Sequence, residues 1–232
     1  MAFTLAQLKT KIQQETASED HLFIKDDELI SYINSGIRSA EAEIHRLGQE
    51  DEYFLAKLSL ALVTSQEAYS LPSDIYANKI RSVVYGNGSL VYEIRRIRGI
   101  HKFVKYKDVL TLSTSTEYYK YLLLNNQATG IQLLLSPPSY ETSSSNVTIW
   151  YIRNAYQLTS DSDICDIPEF TDYVVQYCKK KIYEKEVGHP NYPDSVRELA
   201  ELRTSMIQTL TDMVDDGDNL LEQDMSFYEE AT

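Results

Sequence analysis

Apolar residues recur at helical spacing at both ends of this chain and alternate with polar ones in its middle. From Leu29 through Ile33, Ile37, Ala40 and Ile44 to Leu47 the steps are four, four, three, four and three, the period of one buried helix face. Asp26, Asp27 and Glu28 open that helix, placing carboxylates where the helix dipole favours negative charge. Ahead of it, Leu5, Leu8 and Ile12 form a shorter stripe. Thr4 with Gln7 fits a capping box there, and Phe3 with Leu8 a hydrophobic staple. A glycine inside a helix costs about 1 kcal/mol against alanine, so Gly36 is expected where another helix comes close.

After Glu52 the period shortens. Leu58, Leu60 and Leu62 alternate with Ser59, Ala61 and Val63, which predicts a strand, and Tyr69-Ser70-Leu71-Pro72-Ser73-Asp74 predicts a second one entering a turn. Ile80–Tyr85 and Leu90–Ile94 flank Gly86-Asn87-Gly88, residues that tolerate positive φ, so a hairpin is expected. Tyr118–Leu124 and Ile131–Leu135 flank a longer turn. Pro137-Pro138 and Ser143-Ser144-Ser145 then precede a last strand over Val147–Ile152. The spacing predicts a small antiparallel sheet or sandwich of roughly five to seven strands.

Helix returns at Pro168, with Phe170, Val174, Cys178 and Ile182 as its inner stripe and Gly188-His189-Pro190 as its stop. A final helix starts near Pro193 and sets Val196, Leu199, Met206, Leu210 and Met213 on a near-heptad seam, interrupted by Arg203. That arginine either fixes register against a partner or snorkels to solvent. Gly217 is expected to kink or end the helix. The fold class is therefore α+β: a helical bundle formed by both chain ends, residues 1–52 and 156–217, with an antiparallel β-rich insertion at 53–155. An acidic C-terminal arm follows at 218–232.

Composition narrows the chemistry. The 232 residues are 43% hydrophobic and 25% charged, ordinary for a globular protein, and carry a net charge of −13 that disfavours general coating of nucleic acid. Cys165 and Cys178 are too few for a disulfide framework or a four-cysteine zinc site and are expected to be buried packing residues in a reducing compartment. The N-terminus lacks the order of a signal peptide, and no apolar run approaches the roughly 20 residues that span a bilayer, so a cytosolic origin and no membrane partner are expected. His21, His45, His101 and His189 are scattered without ligand spacing. Asp212, Asp216 and Gly217 fit three positions of a calcium loop, but Val214 and Gln223 stand where oxygen ligands belong. Phosphate-cradle, nucleophile-elbow and dinucleotide motifs do not occur. No catalytic residue, metal ligand or cofactor is assigned.

What remains is charge asymmetry. Between Lys79 and Lys107 lie eight cations, Lys79, Arg81, Arg95, Arg96, Arg98, Lys102, Lys105 and Lys107, against the single acid Glu93, whereas residues 212–232 hold eight acids and no Lys or Arg. Such blocks can meet within a chain, meet between chains, or serve different partners. Eighteen tyrosines add groups suited to partly wet interfaces.

Three stretches bear a likeness to a known family: FTLAQLKTKIQQE running into DDELISYINSGIRSAEAEIHRL, then YSLPSDIYANKIRSVVYG, and IPEFTDYVVQYCKKKIYEKEV with the long helix after it. In layout the chain resembles the head-to-tail adaptor proteins of tailed bacteriophages. The resemblance implies a structural virion protein in the neck, assembled in the host cytoplasm. It further implies a ring, twelve copies in number, that binds the portal, receives the next tail or neck protein, and lets genomic DNA pass without sequence-specific binding. On that reading Arg95, Arg96, Arg98, Lys102 and Lys105 are subunit or DNA-channel contacts, and Leu220, Leu221, Met225, Phe227 and Tyr228 dock the arm on the portal or a neighbour. Two other classes stay open: a nucleic-acid-binding module using residues 79–107 for phosphate contacts, and an enzyme whose polar groups converge only in the fold.

Overall fold

The computed structural model describes all residues except 1, 17–23, 48–52, 89–90, 111–118, 127, 129, 140–141, 143–145, 187 and 230–232; within its elements, the side chains of 106–110, 126 and 214–229 are likewise not described. Expectations placed on His21, Leu90, Tyr118 and the serine loop at 143–145 lie outside the described residues. The chain divides into two compact units, Met1–Tyr53 with Ala155–Thr232, and Phe54–Asn154. Helices stand at both ends and strands in the middle, so the fold is α+β.

The first unit is a helical bundle. Helix α1 spans Leu5–Thr16, α2 Asp26–Leu47, α4 Thr171–Lys185 and α5 Tyr192–Glu229. The capping box at the start of α1 forms in both directions: Thr4 N–H donates to Gln7 Oε1 at 2.9 Å, and Gln7 N–H to Thr4 Oγ1 at 3.3 Å. Leu5, Leu8 and Ile12 are buried, as are Leu29, Ile33, Ile37, Ala40 and Ile44 of α2 and Phe170, Val174, Cys178 and Ile182 at α4. Helix α4 is the hub, packing against α1, α2 and α5. At Gly36 an added Cβ would lie 3.2 Å from Val174 Cγ1 and 3.4 Å from Val174 Cα, so the glycine lets α2 and α4 approach. Ion pairs reinforce the packing, with Lys11 on Asp172 and Lys185 on Glu28, each at 2.7 Å. Cys165 and Cys178 are buried free thiols, and burial pushes both pKa values up.

Two expectations for α5 are corrected. Gly217 does not end the helix, which runs on to Glu229. One glycine costs a helix only about 1 kcal/mol, and no proline follows it to enforce a stop. The seam also differs: Val196 and Met213 are exposed, while Ser195, Met206 and Leu210 are buried. A packed helix of this kind presents a face of period 3.6, which drifts from a strict seven-residue repeat.

The second unit is two four-stranded sheets around one core. Its strands are β1 Leu55–Leu60, β2 Ala68–Ser70, β3 Ile75–Gly86, β4 Val91–Glu93, β5 Arg95–Arg96, β6 Lys120–Asn126, β7 Gly130–Ser136 and β8 Val147–Arg153. One sheet has the order β1-β8-β3-β4 and the other β2-β7-β6-β5. Among the described residues there are eight strands against the expected five to seven, and the unanticipated one is β5, two residues long and too short to show alternation. All pairings are antiparallel except β5 with β6. The β3–β4 and β6–β7 hairpins form where the turn residues place them. In β3, Ala77 and Asn78 have positive φ, and there the register against β8 shifts, a bulge that bends the strand. Tyr69, Tyr85, Tyr119, Tyr121, Ile149 and Tyr151 share the core with Leu133 and Leu135, so much of the tyrosine excess is spent inside.

A third correction falls between the sheets' strands. Residues Ile100–Leu110, expected as strand and turn, form helix α3, which packs on β6 and β7 with Phe103 buried. Gly99 precedes it with φ +95°, a conformation that glycine adopts without strain.

Candidate functional site

The basic segment becomes a defined surface. Arg95 and Arg96 form β5, the edge strand of its sheet, where they pair with Lys120 and Tyr121 of β6. Ile94, buried, donates its N–H to Val83 O at 2.7 Å, and Ile97 donates to Tyr121 O at 2.8 Å, so the backbone on both sides of the arginines is held. Arg98 follows, and after Gly99 the chain winds into α3 with Lys102 and Lys105. All five side chains are exposed. Among the described residues none of the five makes an ion pair. Sequence reasoning chose these residues by charge alone; it missed that a helix presents two of them, because the apolar positions Ile100, Phe103 and Val104 are too few to establish a helical period.

Lys79 behaves differently, its Nζ lying 5.2 Å from the Tyr76 ring centroid in a cation–π contact within β3. The backbone of α5 carries residues 218–229, but the side chains of Leu220, Leu221, Met225, Phe227 and Tyr228 lie outside the described residues.

The bundle holds polar groups that the sequence did not flag. Glu41, Glu43 and His45 of α2 are buried beside the apolar stripe. Glu41 Oε1 accepts the Ala155 N–H at 2.8 Å and stands 3.6 Å from His45 Nε2. Two turns earlier on the same helix, Asn34 donates to Leu158 O and accepts from Leu158 N–H, both at 2.9 Å. The seven-residue step from Asn34 to Glu41 lets one helix face pin the extended segment that leads towards α4. Glu43 Oε2 accepts from Arg46 Nε at 2.9 Å, and its Oε1 takes Nε and Nη2 of Arg203 on α5. Burial raises the Glu43 pKa, but the hydrogen bonds from Arg46 and Arg203 outweigh it and hold the carboxyl below its usual range. Arg203 therefore fixes α5 against α2.

These carboxylates are spent on structure. At the α4–α5 turn, His189 stacks on Tyr183 at 4.2 Å between centroids and accepts the Asn191 N–H on Nδ1 at 3.1 Å, so that histidine too is built into a turn. Among the described residues no three His, Cys, Asp or Glu side chains are grouped to hold a metal ion, and no helix is long and apolar enough to cross a membrane.

The family model for the SU10 adaptor protein matches residues 3–224, nearly the whole chain. The chain belongs to that family. Membership makes it a phage structural adaptor and implies a non-enzymatic role in the virion. No curated protein matches the chain. The SU10 adaptor match includes both units, together with the basic β5–α3 surface and most of α5.

Proposed function

We propose that copies of this SU10 adaptor assemble into a ring that joins the portal vertex of a phage capsid to the tail and continues the DNA channel. The family match over residues 3–224 carries this reading. The ring size we infer is twelve, from the layout shared with head-to-tail adaptors. The portal and the next neck or tail protein are its partners, with Arg95, Arg96, Arg98, Lys102 and Lys105 as subunit contacts and the 218–232 arm as a docking element. A subunit role for the cations is favoured over a channel role because a conduit that gripped phosphates would retard ejection.

Co-expression with the portal protein of the same phage tests the proposal. A complex whose native mass corresponds to a ring of adaptors on the portal is expected, and Arg95→Glu with Arg96→Glu should weaken its assembly. An adaptor that stays monomeric beside an intact portal would overturn the ring. Normal assembly by the reversed variant, with altered ejection rate, would move the cations to the channel. Duplex binding by the isolated chain that falls steeply with salt would favour the nucleic-acid module instead.

A further inference from the structure

The β5–α3 surface has a composition that a self-sufficient unit does not need. Ile100 and Val104, one turn apart on α3, are 51% and 49% exposed. Turning around the helix away from buried Phe103, the order is Ile100, Val104, His101, Lys105, Lys102, an apolar ridge that grades into cations. Arg95, Arg96 and Arg98 precede it on the edge strand and are exposed as well. An exposed apolar ridge beside cations that make no ion pair among the described residues marks a contact surface for something apolar and acidic.

The same chain contains such a segment. From Asp212 to Glu229, α5 carries seven acids and no cation. Its sequence sets Met213, Leu220 and Phe227 seven apart, and Val214, Leu221 and Tyr228 likewise, the repeat of a helix with one sticky stripe. The stripe starts in the open: Leu210 is buried, but Thr211 and Asp212 are exposed and Met213 is 37% exposed. The 38 residues of α5 outrun the 22 of α2 by sixteen, about 24 Å of helix at 1.5 Å per residue. Among the described residues no helix of the bundle is long enough to cover all of α5.

We propose that the acidic C-terminal stretch of α5, from Asp212 to Glu229, docks on the β5–α3 face of a second copy of this chain. Like surfaces would repel, cation against cation and acid against acid, so pairing through like patches is disfavoured. Two different, complementary patches on one chain give a head-to-tail contact, and such a contact closes a ring when its rotation returns to the first copy. The inference rests on the ring reading for the supply of neighbours. It fails separately, because rings can form on the portal through other surfaces.

Cysteine cross-linking between full-length chains tests it. One chain carries Lys102→Cys and the other Glu222→Cys; native Cys165 and Cys178 are buried. Mixing under mild oxidation should give a covalent dimer of the two 26.7 kDa chains. Its yield should fall about tenfold on raising salt from roughly 0.05 to 0.5 M, where the screening length contracts several-fold. A Glu198→Cys control on the exposed start of α5 should give little. Reversing Arg95, Arg96 and Arg98 to Glu in the first chain should abolish the dimer. Reversing Asp218 and Asp224 to Lys in the second as well should restore it, with ellipticity at 222 nm confirming that each variant folds. A yield no higher than the Glu198 control, indifference to charge reversal, or cross-links only within a chain holding both cysteines would overturn the proposal. If portal-bound rings still form in that case, the ring reading stands without it.

Discussion

Replacing Arg203 by alanine tests whether α5 is fastened to α2 through Glu43. The Glu43 side chain is 12% exposed and that of Arg203 52% exposed. One carboxylate oxygen takes two guanidinium N–H groups from Arg203, while the other takes Arg46. Hydrogen bonds to charged groups contribute about 1.5–3 kcal/mol each when shielded. Solvent around the half-exposed guanidinium screens this towards the ~1 kcal/mol of surface pairs. The buried carboxylate, left with Arg46 alone, adds a penalty, so Arg203→Ala should cost the bundle about 1–2 kcal/mol. Urea denaturation followed at 222 nm measures it, with Trp150 fluorescence reporting the β unit separately. Lysine at 203 should recover less than half, lacking the fork that reaches one oxygen twice. In a Glu43→Gln background the loss should shrink to a few tenths of a kcal/mol. The sign with pH is fixed by the direction of the Glu43 shift. A carboxyl held below its unfolded value of about 4.3 stabilises the fold above that value, and the contribution is lost as pH falls through the folded pKa. The Arg203→Ala penalty should therefore be full at pH 7 and shrink as the pH falls below about 4.3. An equal loss in the Glu43→Gln background, or one independent of pH, would show that Arg203 acts through its aliphatic stem and refute the ion-pair reasoning.

Other perturbations have equally definite outcomes. Ile37→Asp puts an unpaired charge at a fully buried position of α2 and should cost more than about 4 kcal/mol in urea denaturation; wild-type melting would remove Ile37 from the helix interface. Gly36→Val should cost about 1–3 kcal/mol, because a Cβ there meets Val174 side chain and backbone, while Gly36→Ala should cost less by recovering helix propensity. Cross-peak shifts at Val174 would check that the strain arises at α4. Deleting residues 218–232 should leave melting nearly unchanged, since the last buried residue described on α5 is Leu210. It should reduce attachment to the portal or to a neighbouring copy; a much lower melting temperature of the isolated protein would place the stretch in the protomer's own core.

The apolar skeleton of the bundle was legible in the sequence because each helix places a stripe of apolar residues at helical spacing against its neighbours. The residues picked out by that spacing, Leu5 to Ile44 in α1 and α2 and Phe170 to Ile182 at α4, are buried, although the hub α4 buries Tyr173, Val175 and Gln176 as well. Capping at Thr4 and the close approach at Gly36 depend on local chemistry and were equally readable. The β-hairpins were readable for the same reason, from glycines at turns between alternating runs. Helix α5 was only half readable: its existence follows from composition, but its packed face drifts past a seven-residue template, and a lone glycine is too weak a breaker to set its end.

The polar interior and α3 were not legible, for two different physical reasons. Glu41, Glu43 and His45 look like surface residues, since burying a charge or a ring nitrogen is unfavourable unless partners are waiting. The partners, Ala155 N–H and the Arg203 guanidinium, are over a hundred residues away in sequence, and only tertiary structure brings them to α2. In α3 the conflict runs the other way. Ile100, Phe103 and Val104 have helical spacing, yet of the three only Phe103 is buried. Among the described side chains of α3, Phe103 packs on its own unit, while the ridge and the charges lie outside. On the proposed docking, that ridge is covered by a second copy of the chain. The exposure of Ile100 and Val104 is a stronger pointer to an intermolecular contact than the charge of the segment, which solvent alone would satisfy.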